Sequence, residues 1–590
     1  MLEVGIGQRP GEAEDLMSGD VLGQFLGDDS FPIRWDSEAE SRLFWIYDDL
    51  HIPQPVSPMF FDIGGWWLTC DHMFRRFATP FAADWIAKKI NGYVFTAAIP
   101  ADSSLMAEST EYDARYTARV PRDANYPTKM GPYLGAVLPV YATNFLTWWR
   151  ERFRPEIEGN FARLDSYDYS RKTLAEVAIQ LEDAIDVHDR HWKIHWMLNF
   201  AQFSATMALR GTIQEIKGAV DEELFGRLQS SVEDRNWDSI EALWKMKEEI
   251  KANPELREAF RGDTAADVQG RLRASATGKR FAAERLDPYR QEFGYKSIWS
   301  HEFVFPLWKE NPGPIIEALR GYLESDYDYS KTMAGVSNDL KSAKTELMDG
   351  VKGDERTRLQ GALDLATNMS PLTPDHHFYI DQGTNARLRM VLVGIGDRLV
   401  EEGVVDDRED TIFLLYNELR QLLGNPQAFD ARALVSQRRD EREQAYEIRP
   451  PAWAGTATQV ALDFPYNGLW GFPEKFNRPA PTATAELRGL PASPGVIEGL
   501  ARHVRTLEEF DQVRDGEILV CQMTNPAWVV LFTKIAGLVT DAGGAASHPA
   551  VVSREFGIPA VVGTSVATQR IKTGDRVRVN GSTGLVEILS

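Results

Sequence analysis

Residues 540–563 read TDAGGAASHPAVVSREFGIPAVVG, and this stretch decides the fold around it. Thr540 closes a strand, Gly543 and Gly544 let the backbone turn tightly and approach a ligand, and Ser547 and His548 open a helix running to about Phe556. His548 thus stands at a helix N-terminus. There, unpaired N–H groups and the positive end of the helix dipole favour an anionic group held on or beside the imidazole, and Arg554, two turns on, adds positive charge. A neutral imidazole at pH 7 is also a competent nucleophile toward phosphorus.

Around this segment, short β-type runs alternate with short helices: Glu517 to Cys521, Gly537 to Asp541, Ala560 to Gly563, then a hairpin from Arg576 to Ile588 turning at Asn580-Gly581-Ser582-Thr583-Gly584. Asn525 as N-cap, Pro526 at the first helical position and Gly537 past the end predict a further helix between them. The expectation is a small C-terminal β/α domain over 487–590. Before it, residues 471–486 (GFPEKFNRPAPTATAE) carry three Pro and little apolar periodicity, the mark of a semi-extended linker. Residues 30–450 read mainly as helices, which makes 1–470 a large, mainly α-helical region. The clearest helix opens at a capping box, Thr173 with Glu176, and is predicted to end at Gly211. Along it Leu174, Ala178, Leu181, Ile185, His188, Trp192, His195 and Asn199 form one inward stripe.

The chain has 590 residues, about four times the ~150-residue domain mode, so it is multidomain. Hydrophobic residues at 43% and charged residues at 26% are the profile of folded globular protein. A net charge of −22 argues against a binder of nucleic acid and against adhesion to an anionic membrane. Cys70 and Cys521, far apart, build neither a disulfide framework nor a cysteine metal site, which fits a reducing cytoplasm. The N-terminus lacks a basic segment followed by an apolar one, and no run approaches 18 apolar residues.

The pattern Thr-x-x-Gly-Gly-x-x-Ser-His-x-Ala, then Arg-Glu, then Gly-Ile-Pro-Ala-Val-Val-Gly resembles the phosphohistidine swivelling domain of the PEP-utilising enzymes, the family of PEP synthase, pyruvate phosphate dikinase and rifampin phosphotransferase. Leu490-Pro491-Ala492-Ser493-Pro494-Gly495 resembles the first strand and turn of that domain. The resemblance implies that His548 becomes phosphorylated, with Thr540, Gly543, Gly544, Ser547 and Arg554 around it, and that the domain shuttles the phosphoryl group between two sites. Only 42 residues follow His548, too few for the ~250-residue pyruvate-binding barrel of PEP synthase. No phosphate loop of the Walker type and no ATP-grasp pattern is found upstream. The helical region has its own likeness to rifampin phosphotransferase in FGYKSIWSHEFVFPLWKE (293–310), in Glu409 to Leu414 with Glu418-Leu419, and in the Pro-rich Trp45 to Met59.

An acceptor region and a histidine domain without an ATP domain resemble the histidine-bearing subunit of phenylphosphate synthase-type systems. What this implies is a dikinase subunit: a separate ATP-grasp subunit, with Mg²⁺ and ATP, loads His548 with the β-phosphoryl, and a phenolic hydroxyl receives it. A two-component antibiotic phosphotransferase and a non-catalytic phosphohistidine carrier are the alternatives. Residues 473–486 would reach about 45 Å if extended at ~3.3 Å each, enough for a domain-scale swing.

A phenol is ionised to about one part in a thousand at pH 7, so a base or cation should assist its attack. His376 and His377 are the first candidates for taking that proton, with Arg387 or Arg389 offsetting charge on the transferring group. His188, His191 and His195, on one helix face with Trp192 and Trp196, are candidates for lining the acceptor pocket, as are His301, Glu302 and His51. Three His on one helix do not converge easily on one ion, and no HExxH-type ligand pattern is present, so no metal site is expected.

Overall fold

The computed structural model describes residues 2–3, 31–79, 82–99, 125–324, 327–448, 450–457, 485–505, 507–524, 528, 531–544 and 547–589. Most of the Pro-rich linker, 471–484, and the predicted helix start at Asn525 and Pro526 lie outside the described residues. The protein is multidomain, with a mainly helical region followed by a C-terminal β/α domain. The chain forms two compact units. Unit 1 holds Met1–Ser204, His301–Val304 and Tyr379–Asn467, and unit 2 holds Ala205–Ser300, Phe305–Phe378 and Gly468–Ser590. The C-terminal domain therefore shares a compact unit with helical segments that the linker separates from it in sequence.

Unit 1 contains a sheet that the helical texture of its sequence conceals. Strands β1 (Leu2–Glu3), β2 (Phe44–Tyr47), β3 (Asp84–Ile90), β4 (Tyr93–Ile99) and β5 (Trp453–Ala457) lie in the order β1-β5-β2-β4-β3. β3 and β4 form a hairpin in which Ile90 pairs with Tyr93 across Asn91 and Gly92, both at positive φ. Asn-Gly is the sequence that such a two-residue turn favours, because both central residues need left-handed backbone. Tyr47, Ile86, Ile90, Tyr93, Phe95 and Ile99 from these strands build one buried core with Phe31 and Trp45.

The Leu174–Lys217 helix begins at the predicted capping box: Glu176 N–H donates to Thr173 Oγ1 (3.2 Å) and Thr173 N–H to Glu176 Oε2 (2.9 Å). It runs past Gly211, whose Cβ position meets nothing within 4 Å, and ends at Gly218, where φ is +79°. The termination signal was a glycine about two turns further on, because a helical glycine costs only about 1 kcal/mol while a left-handed residue requires it.

In unit 2, strands β6 (Glu486–Arg488), β7 (Leu490–Ser493), β8 (Val496–His503), β9 (Ile518–Cys521), β10 (Gly537–Thr540), β11 (Ala560–Val562), β12 (Arg576–Asn580) and β13 (Leu585–Ile588) make an eight-stranded sheet ordered β6-β13-β12-β8-β9-β10-β11-β7. Arg488 and Leu490 flank a single glycine yet belong to opposite ends of this order, so the chain crosses from one end of it to the other at Gly489. Gly581, in the β12–β13 turn, has room only for a hydrogen, since a Cβ there would sit 1.8 Å from Ser493 O of β7. Val520, Val539, Val561, Val577, Val579 and Val586 fill the centre. Gly537 starts β10 rather than ending a helix, because its neighbours Leu538 and Val539 are buried strand residues paired in parallel with β9 and β11. β8, β9, β10 and β11 are successively parallel, which gathers their C-terminal ends at one rim.

Candidate functional site

That rim carries His548. In open and curled parallel sheets, the loops beyond the strand ends are where backbone and side chains are free to face a ligand. Thr524 follows the end of β9, and the turn from Thr540 to Ser547 follows β10. Gly543 has φ +124°, a conformation that residues with a Cβ rarely adopt, and a Cβ there would lie 2.8 Å from Ser547 Oγ. Ser547 is the extended N-cap of the His548–Phe556 helix, Pro549 sits in its first turn, and Gly557 at φ +65° ends it. The Ser547 hydroxyl donates to Gly544 O (2.7 Å) instead of capping the helix, which leaves first-turn N–H groups without a side-chain cap.

His548 Nδ1 shares a hydrogen bond with Thr524 Oγ1 at 2.9 Å. Its Nε2 is buried and has no hydrogen-bond partner among the described residues. Burial first, then the charges of His377 and Lys296, hold the imidazole well below the usual histidine range, so it is uncharged at neutral pH. With its proton on Nδ1, directed at Thr524, the ring presents an Nε2 lone pair. The Phe532 ring stands edge-on 6.4 Å from the imidazole. Phe556, at the far end of the same helix, stacks on Trp237 (6.5 Å) and Tyr327 (5.4 Å), and Trp528 Nε1 donates to Ile298 O (3.2 Å). These contacts are all within unit 2 and fix the histidine domain on the 205–378 helices.

The other residues expected beside His548 divide. The Thr540 hydroxyl donates to Ala542 O (2.7 Å) and so shapes the turn. Arg554 lies in the last turn of the helix, where its guanidinium donates to Ala492 O (2.9 Å); its charge is at the opposite end from the dipole's positive pole. His376 and His377 are helical, with rings 4.2 Å apart. His376 Nδ1 bonds Leu372 O (2.9 Å), whereas the charge of His377 reaches His548.

The remaining candidates belong to unit 1 and bond within it. His188 Nε2 lies 3.0 Å from both Asn385 Oδ1 and Trp192 Nε1. His191 bonds Thr384 Oγ1 (2.8 Å) and Asn160 Nδ2 (3.1 Å), and His195 bonds Asn199 Nδ2 (2.8 Å) with its Nδ1 3.4 Å from Asp381. The three imidazoles on this helix thus bond different partners. His301 packs edge-on against His51 (5.4 Å), which in turn bonds Asp48 (2.8 Å). Glu302 accepts from Ser57 N–H and Oγ, both 2.6 Å, and from the N–H of Phe303 and Val304, a carboxylate that ties two segments together. Arg387 pairs with Asp165 (2.9 Å) over the Phe161 ring, and buried Arg389 donates to Phe303 O and Glu409.

Two residues at the site were not anticipated from sequence. Thr524 was findable as a hydroxyl just beyond a parallel strand's C-terminal end. Lys296 lies inside the 293–310 motif, and its nature shows only in three dimensions: it is 4% exposed, its Nζ donates to Ser239 Oγ (2.7 Å), and burial together with Arg235 pulls it down to about 7.

Comparison with known proteins fits this geometry. Residues 513–584 match the family model of the PEP-utilising enzyme mobile domain, and residues 195–372 match that of the rifampicin phosphotransferase fourth domain. The chain is 30% identical to an uncharacterised phosphotransferase, YvkC, of Bacillus subtilis over 67% of its own length and 47% of the relative's. It is 29% identical to the rifampicin phosphotransferase of Streptomyces sviceus over 59% of its length and 39% of that protein's. Over 105 residues, 17% of this chain and 12% of the other, it is 52% identical to a probable phosphoenolpyruvate synthase of Staphylothermus marinus. The chain spans about half or less of the length of these relatives. It carries the mobile domain of the PEP-utilising enzymes and is related to the rifampicin phosphotransferases.

Proposed function

We propose that this chain is the phosphohistidine-bearing subunit of an ATP-dependent dikinase that delivers a phosphoryl group from His548 to a phenolic hydroxyl. The observation that carries the reading is the buried, partnerless Nε2 of an imidazole kept uncharged and oriented by Thr524. In the loading step, the Nε2 lone pair attacks the β-phosphorus of ATP held with Mg²⁺ on a separate ATP-grasp subunit. An N–P bond forms and the bond to the AMP oxygen breaks; the γ-phosphate is released as phosphate by hydrolysis. The domain then turns to its acceptor. In the second step, the phenol oxygen attacks phosphorus, the N–P bond breaks with its electron pair returning to Nε2, and the phenolic proton passes to a base. Of the two adjacent histidines, His377 is assigned as that base in its uncharged form, because it lies near enough to act electrostatically on His548, while His376 Nδ1 is turned to a carbonyl.

The match over 195–372 favours a second acceptor, a hydroxyl of an antibiotic like the one named in the relatives' description. Transfer from ATP labelled at the β position tests both readings. This chain, a candidate ATP-grasp partner and the His548→Ala variant are combined, then chased with phenols or with rifamycins. Acid-labile label on the wild type alone, moved by a phenol into an aryl phosphate, is the expected result. Equal label on the variant overturns the assignment of His548, and label that no hydroxyl compound removes makes the chain a carrier.

A further inference from the structure

Within unit 2 the histidine domain is seated on the 205–378 helices by side chains from both sides. Phe556 closes the His548–Phe556 helix and stacks on both Trp237 (6.5 Å, 18° between planes) and Tyr327 (5.4 Å, 19°). Fully buried Trp528 donates its indole N–H to Ile298 O (3.2 Å) and meets the Trp299 ring edge-on at 5.9 Å. Elsewhere the domain lies over glycines. A Cβ at Gly321, in the helix Gly313–Glu324, would stand 2.7 Å from Lys534 Cε, and one at Gly226, in the helix Glu222–Leu228, would stand 3.8 Å from Arg554 Nε.

These contacts lead directly to the reactive histidine. Phe532 touches Phe556 (5.8 Å) and stands edge-on to the His548 imidazole (6.4 Å), so the ring that anchors the domain is one side chain away from the imidazole. His377 and Lys296, which belong to the helices' side, both act on that imidazole, so the face that bears His548 is turned toward the helices. Nε2 is buried there. A phosphoryl donor must bring phosphorus up to Nε2 with its leaving group pointing away along the same line, which needs open space beyond the nitrogen. The seated domain leaves none.

We propose that this seat is an autoinhibitory contact: while Phe556 lies against Trp237 and Tyr327, His548 is closed to phosphoryl donors, and the N–P bond forms only after the domain has left the helices. The proposal rests on His548 being the phosphorylated residue. The chemistry of loading is unchanged: Nε2 attacks phosphorus, and the donor's own bond to phosphorus breaks with its electron pair going to the leaving group. What changes is the rate, which follows the fraction of chains that are off the seat. Weakening the seat without touching the imidazole therefore makes loading faster, whereas damage to the site makes it slower. In Phe556→Leu most of the apolar area is kept and the two ring stacks are lost, each worth at least a factor of about two in an equilibrium, so the unseated fraction rises about fivefold or more.

Phosphoramidate, whose P–N bond breaks with release of ammonia as the bond to histidine forms, tests this on the full chain without a partner protein, with phosphohistidine followed by ³¹P NMR. Wild type is compared with Phe556→Leu and with Gly321→Leu, which presses a side chain from the helices against Lys534 and leaves the histidine domain as it is. Circular dichroism establishes that each variant is folded. Loading about fivefold faster in Phe556→Leu, and faster than wild type in Gly321→Leu, is the expected result. Unchanged or slower loading in either folded variant overturns the proposal, and if one variant does not fold the other decides. Absent label on wild type and variants alike, or equal label on His548→Ala, instead overturns the reading of His548.

Discussion

Replacing Thr524 with Val keeps the shape of the side chain and removes the partner that His548 Nδ1 has among the described residues. In the native site the 2.9 Å bond to Oγ1 selects the tautomer with its proton on Nδ1 and its lone pair on Nε2. Val leaves that N–H buried without an acceptor, and the proton is then as well placed on either nitrogen, since Nε2 has no partner to oppose it. A buried hydrogen bond of this kind is worth about 1–1.5 kcal/mol net, a roughly 5- to 12-fold change in the ratio of the two tautomers, so losing it takes the reactive form from about nine-tenths of the population to about half. The rate of phosphohistidine formation from phosphoramidate, a small phosphoryl donor, should therefore fall about twofold, with the loss relieved in Thr524→Ser. The pH dependence should not move in the same way, because burial, not Thr524, is the main cause of the depressed imidazole. A Thr524→Val rate equal to wild type would refute the argument that the hydroxyl orients the ring.

Gly543→Ala places a Cβ at φ +124°, 2.8 Å from Ser547 Oγ, and should cost about 1–3 kcal/mol in chemical denaturation while slowing labelling of His548. Phe556→Ala removes the stack on Trp237 and Tyr327; for a half-buried ring the loss is about 1.5–3 kcal/mol, read as faster proteolysis of unit 2. His191 is held down to about 3 by burial and then by His188 and Arg387, whereas the unfolded histidine binds its proton near 6.5. Unfolding therefore takes up a proton as pH falls below 6.5, and stability declines by about 1.4 kcal/mol per unit, roughly 2–3 kcal/mol by pH 4.5. His191→Gln should flatten that slope in urea titrations across the window.

What the sequence made legible follows from how locally each feature is encoded. The turn and helix of 540–557 were readable because Gly543, Ser547, Pro549 and Gly557 each act within one or two residues of themselves. The Asn91-Gly92 hairpin was equally local and was passed over because the surrounding Trp, Ala and Leu spacing looks helical. Lys296 was not readable: a lysine in an aromatic stretch is normally exposed, and this one is buried with its Nζ bonded to Ser239, 57 residues away in the chain. Arg387 and Arg389 show the reverse case. Their helix position was legible, but their partners, Asp165 and Glu409, are set by packing.

The two end strands of the eight-stranded order, joined through Gly489, bear on how the histidine domain meets other chains. An open sheet presents a row of unpaired N–H and C=O groups at each border, a template on which another chain can add a strand. Here the two end strands are short, three residues in β6 and four in β7, and Pro491 stands within β7. Borders so brief give an added strand few groups to pair with, so the histidine domain is poorly suited to edge-to-edge association.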